Sequence, residues 1–206
     1  MEKEIASENS LFIKPMNFMR KLSDKPLILL PLIVLVVVNI TYTLGIYPAA
    51  LESLLHNLDG TNLEKEVFLE NETLLKTITC FINVFNFVLG TIGIAIVFYF
   101  LANLFIDKIN FKSVLSLFLF SQVPNALNWL LVAMQYQFFN LVPSSFLDKD
   151  LSLFDNILDS LNIFFILHLI MMAVSFKILL NSKTWVSIFI VVLYSLIMIC
   201  GRLFLT

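Results

Sequence analysis

Long apolar runs separated by short polar stretches dominate the chain. Positions 27–47 carry no charge, and neither does the stretch from Thr77 to Ile106, which contains the run 78–105. Three more runs follow at 113–136, 161–180 and 185–205. Each is about as long as the roughly 20 apolar residues a helix needs to cross a bilayer. The second is longer, so it must tilt or extend past the hydrocarbon. A membrane barrel would instead alternate apolar and polar positions over about ten residues per strand. These runs do not alternate. The pattern therefore predicts an all-α polytopic membrane protein with five transmembrane helices. Lys177 and Arg202 lie near span ends, where a long side chain reaches the interface.

Between the runs the spacing changes. Leu51, Leu54, Leu55 and Leu58 recur at helical intervals, which predicts a short separate helix on the outer interface, ended by Asp59-Gly60. Thr61 and Glu64 are spaced as a capping box for a second short helix. The loop 137–160 mixes Phe138, Phe139, Leu151 and Phe154 with acids and also suits a membrane surface. Residues 1–26 form a separate N-terminal segment. In it, Phe12, Ile13, Met16, Phe18 and Met19 alternate with Lys14, Arg20 and Lys21. Two readings stay open: an in-plane amphipathic anchor on an anionic leaflet, or an ordinary basic flank. Pro48-Ala49-Ala50 imitates a signal cleavage site, but the apolar run before it is too long for a signal h-region.

Composition settles the solvent. Apolar residues make up 59% of the 206 residues and charged residues 14%, with a net charge of −2. Mean hydropathy is +0.92. A soluble domain carries about 25% charged residues. The balance excludes a soluble enzyme, a disordered chain and a basic nucleic-acid binder. Cys80 and Cys200 both lie in apolar runs and form neither a disulfide framework nor a metal-binding spacing.

The charges also give an orientation. Nine of the 13 Lys and Arg residues fall in the N-terminal segment, the loop between spans two and three, and the turn between spans four and five. The positive-inside rule places that side in the cytoplasm, with the C-terminus outside. Ten of the 15 acids fall on the opposite side.

Candidate chemistry is sparse. The span cores hold no Asp or Glu, whereas proton-coupled carriers often keep a carboxylate there. There is no phosphate-binding glycine loop and no HExxH motif. No catalytic residues, metal ligands or cofactor are expected, so the chain reads as non-enzymatic. Glu52, His56 and Asp59 share a helix face but read as a solvated surface rather than a metal site. Asn71-Glu72-Thr73 fits a glycosylation sequon, which matters only in a secretory host.

The informative polar residues are uncharged. Asn83 and Asn86 precede Gly90 and Gly93 in span two, and Asn86, Gly90 and Gly93 share one face. In span three, Gln122, Asn125 and Asn128 recur every third residue around Pro124, which should kink the helix. In span four, His168 and Ser175 are seven apart. Small residues let helices approach, and buried amides hydrogen-bond across them. These residues read either as packing contacts that join spans two, three and four, or as a polar groove or partner seam.

Five spans, a cytoplasmic N-terminal segment and a kinked polar third span resemble the Yip family of Ypt/Rab-interacting membrane proteins, its bacterial branch most of all. The local likenesses are Pro15-Met16-Asn17-Phe18 leading into Leu22-Ser23-Asp24-Lys25-Pro26, and Phe111-Lys112-Ser113-Val114 leading to Phe120-Ser121-Gln122-Val123-Pro124. Eukaryotic members carry a Tyr-Gly-Pro type signature near the second span, which this chain lacks, so a Rab-linked traffic role does not follow. The resemblance implies a multi-pass accessory or scaffold protein of the bacterial inner membrane. Its partners are then the lipid bilayer and another membrane protein or a second copy. An ABC-type exporter or an envelope-stress system is the partner class implied. The alternative is a small oligomeric transporter or channel subunit lined by the amides of spans two and three.

Overall fold

The computed structural model describes residues 13–57, 68–105, 109–143, 162–180 and 184–205. Seven principal helices carry these residues: α1 (Ile13–Asp24), α2 (Leu29–Asn57), α3 (Glu72–Asn103), α4 (Phe111–Ser121), α5 (Val123–Phe139), α6 (Ile163–Leu180) and α7 (Thr184–Leu205). No strand occurs among the described residues. Three stretches are long and apolar enough to cross a membrane: Leu29–Leu55, Glu72–Asn103 and Phe111–Phe139. Two shorter apolar helices, α6 and α7, follow them. The chain is an all-α polytopic membrane protein.

Span three is the centre of the bundle. Of its most apolar window, 44% is buried, against 22% for the first stretch and 17% for the second. Its helical hydrogen bonding is interrupted for one residue at Gln122, which keeps a right-handed conformation (φ −76°, ψ −9°), and Pro124 sits in the first turn of α5. A proline is tolerated there because the first turn needs no intrahelical acceptor for its N–H. Asn140 ends α5 in the left-handed conformation, at φ 52°. Asparagine adopts that conformation at lower cost than most residues.

Two clusters bracket the break. On one side Leu35 of α2, Leu119 of α4 and Ala126 of α5 pack with Phe87 and Trp129. Trp129 meets Phe87 edge-on at 5.7 Å and stacks on Tyr42 at 6.2 Å. On the other side Phe98 of α3 lies 5.7 Å from Phe118, 4.8 Å from Phe176 and 5.4 Å from Tyr194, centroid to centroid. One ring therefore joins α3, α4, α6 and α7.

The separate helix expected at residues 51–58 does not exist as such, because α2 runs unbroken through Pro48 to Asn57. No glycine follows Pro48 until Gly60, so nothing else in that stretch stops the helix. In the C-terminal half of α2, the Tyr47 hydroxyl donates to the Glu72 carbonyl at 3.3 Å, and the Lys76 ammonium lies 5.6 Å from the Tyr47 ring centroid. The capping pair Thr61 and Glu64 and most of the loop 137–160 lie outside the described residues.

Helix α1 does more than either sequence reading requires. Its Met19 and Leu22 are buried against Leu117, with Phe120, Met171 and Ile178 around them. Phe18 meets Phe120 edge-on at 5.2 Å. Two serines of α4 hold the linker that follows. The Ser113 hydroxyl donates to the Ser23 carbonyl at 2.7 Å. The Ser116 hydroxyl donates to the Leu27 carbonyl at 2.9 Å and accepts from the Leu27 N–H at 3.1 Å. The linker's backbone groups are thus satisfied by side chains of the central span.

Candidate functional site

The polar residues of the spans separate into three places. The first is the break in span three. The His168 Nδ1 lies 2.6 Å from the Ser121 carbonyl oxygen, the last residue of α4. A carbonyl only accepts, so Nδ1 carries a proton. The neutral ring then leaves Nε2 as the acceptor, facing the Tyr194 hydroxyl at 3.4 Å. His168 is fully buried, with Phe118, Phe165 and Tyr194 around its ring. Helices α4, α6 and α7 meet at this imidazole.

The stripe around Pro124 is more local than its spacing implied. The Asn125 Nδ2 donates to the Gln122 Oε1 at 2.9 Å, one turn away on the same span. Asn128 is half-buried. The expected link from this stripe to the amides of span two is not made. Asn83 donates instead to the Thr43 hydroxyl of α2 at 3.3 Å. Asn86 is exposed on the outer face of α3. Helical rotation decides this outcome: α3 turns these amides toward α2 and toward lipid, away from the Gln122 face.

The second place is the crossing of α2 and α5, which the amide pattern did not flag. A Cβ built on Gly45 would lie 2.9 Å from the Ala133 Cβ, closer than real Cβ atoms stand. The Gln137 side chain donates to the Gly45 carbonyl at 2.6 Å. That carbonyl lies three residues before Pro48, in the turn that a proline loosens. The Ser121 carbonyl likewise lies three residues before Pro124. In each proline-containing turn a carbonyl thus meets a side chain from a different helix.

The third place is the outer face of α3. A Cβ at Gly90 or Gly93 would meet nothing within 4 Å. Among the described residues no other helix packs against these glycines, which fits the partner seam of the two readings rather than an internal packing contact. Together with Ile94, Val97, Leu193 and Tyr194 they line an apolar groove of about 350 Å³ between α3 and α7.

Among the described residues no group of three His, Cys, Asp or Glu side chains is placed to hold a metal. Asp59, one of three residues on the face with Glu52 and His56, lies outside them. Two buried side-chain oxygens lack a hydrogen-bond partner among the described residues, the Asn39 Oδ1 and the Ser187 Oγ.

Comparison with curated proteins and with solved structures gives no significant match. The Yip1 domain family model matches residues 9–205, from before α1 to the end of α7. That span takes in the docked α1, the broken central helix and all the apolar helices around it, so the chain belongs to the Yip1 domain family.

Proposed function

We propose that this protein is a non-enzymatic scaffold or accessory subunit that receives a transmembrane helix on the outer face of α3. The observation that carries the reading is Asn86. It is an exposed amide in the middle of a membrane span, with no hydrogen-bond partner among the described residues. Lipid cannot satisfy an amide, so polar groups in spans characteristically turn toward protein. One and two turns further along the same face, Gly90 and Gly93 leave room for a close helix. The incoming helix belongs to another membrane protein or to a second copy. The bacterial likeness points to an ABC-type exporter or an envelope-stress system in the inner membrane.

Mild-detergent capture of the tagged full-length chain, read by mass spectrometry, tests this. The wild type should retain a stoichiometric partner or a second copy. Asn86→Leu and Gly90→Leu should each keep the fold and lose most of that recovery. Interhelical hydrogen bonds in membranes average about 0.6 kcal/mol, so the glycine change should have the larger effect. Recovery of the wild-type chain alone would count against the reading. Ion or small-amphiphile flux from the pure protein in liposomes would favour the transporter alternative.

We further propose five spans with the N-terminus in the cytoplasm. The support is the gathering of Arg20, Lys21, Lys25, Lys112 and Lys177 on the side where α1 packs. Labelling of intact cells with an impermeant thiol reagent should modify Glu70→Cys and spare Lys112→Cys. The reverse labelling would invert the topology.

A further inference from the structure

Where α1 meets α6 and the first turn of α7, the structure holds a cavity of about 590 Å³. Arg20, Asp24, Lys177, Thr184 and Ser187 contribute its polar lining. Two cations from different helices therefore converge with a single carboxylate. Among the described residues, none of the three charges forms an ion pair within the chain. Ser187 is 1% exposed and its Oγ has no hydrogen-bond partner among the described residues. Thr184 opens α7, and the first N–H groups of a helix lack intrahelical acceptors and favour an anion. The Arg20 guanidinium, the Lys177 ammonium, the hydroxyl of exposed Thr184 and the first backbone N–H groups of α7 together form a donor set suited to phosphate oxygens.

The remaining walls say where the phosphate comes from. Ile170, Val174 and Ile188 line the same cavity. Ile170 and Ile188 are 54% and 52% exposed, so this side faces the bilayer. A free phosphate ion is far smaller than the cavity and has no use for an apolar wall. We propose that the cavity binds the phosphate of an anionic lipid headgroup, with Arg20 and Lys177 on its oxygens and the glycerol and upper acyl chain along the isoleucines. This site lies away from the glycine groove of α3 and does not depend on what that groove receives.

The test uses the purified full-length chain in neutral detergent, with native mass spectrometry and thermal melting as readouts. Phosphatidylglycerol, phosphatidylcholine of the same chains and inorganic phosphate are compared. Phosphatidylglycerol should be retained and should raise the melting temperature, while phosphatidylcholine should do neither. Arg20→Gln and Lys177→Gln should each weaken retention by about tenfold, as loss of a charge-assisted hydrogen bond does. Arg20→Lys with Lys177→Arg should keep it, which separates charge from folding. Lys112→Gln, a cation outside the cavity lining, should leave retention unchanged. Equal retention of the two lipids, or full retention by the double glutamine variant, would overturn the proposal. Protection by inorganic phosphate without lipid retention would overturn the lipid source.

Discussion

Gly45→Ala should lower the melting temperature of the detergent-solubilised protein by about 2–10 °C. One methyl group has this effect because its neighbour cannot move aside. The Ala133 Cβ, 2.9 Å from the added carbon, is fixed to the backbone of α5. The helices must separate, and overpacking of this kind costs about 1–3 kcal/mol. For a chain of this size, 1 kcal/mol corresponds to about 2–4 °C. Separation also stretches the 2.6 Å hydrogen bond from Gln137 to the Gly45 carbonyl. Ala133→Gly should restore the Gly45→Ala protein, since it removes the opposing methyl. An unchanged melting temperature in Gly45→Ala, or no rescue by Ala133→Gly, would show that the crossing is looser than the structure has it.

Phe98→Ala should be more damaging still. Phe98 is 3% exposed and touches aromatic rings from three other helices. Truncating a buried phenylalanine costs about 3–5 kcal/mol in soluble cores. In a bilayer lipid also solvates apolar groups, so the loss comes mainly from packing and aromatic contact. Phe98→Leu keeps most of the volume and should cost clearly less. Disulfide trapping gives a direct reading: a cysteine pair placed across α3 and α7 should close readily in the wild-type background and slowly in Phe98→Ala. Equal trapping rates would remove Phe98 from its role as the joint between the spans.

Much of the architecture is legible in the sequence because the bilayer imposes a simple rule. About twenty apolar residues make a helix, and each of the five runs overlaps one, although α2 continues to Asn57, past the run 27–47, and α3 begins at Glu72, before the run 78–105. The polar residues of the spans were legible as special but not in their pairing. Asn83 and Asn86 lie three residues apart, yet one bonds Thr43 and the other faces outward. Which partner an amide meets depends on the rotation of its helix against neighbours that are distant in sequence. Ser113, Ser116 and Gly45 gave no signal, since single serines and glycines are common in spans. Their importance arises only when α1, α2 and α5 come together. Pro48 read only as part of a mimicked cleavage site, yet it lies within a continuous helix. Pro124 suggested a bend and lies just after the one-residue interruption at Gln122. His168 was legible as a packing group by its solitude among apolar residues, while its carbonyl partner at the break was not.

The two proline turns also set a timetable for synthesis. Gln137 follows the carbonyl it serves at Gly45 by 92 residues, and His168 follows Ser121 by 47. At about 5–20 residues per second, the wait for Gln137 is roughly 5–20 s. During that interval the Gly45 carbonyl keeps only the acceptance that an unbroken α2 gives it. The bond that ties α5 to α2 forms only once Gln137 has been made, and the bond that ties α6 to α4 only once His168 has. Contacts of the earlier helices are therefore completed by the later ones.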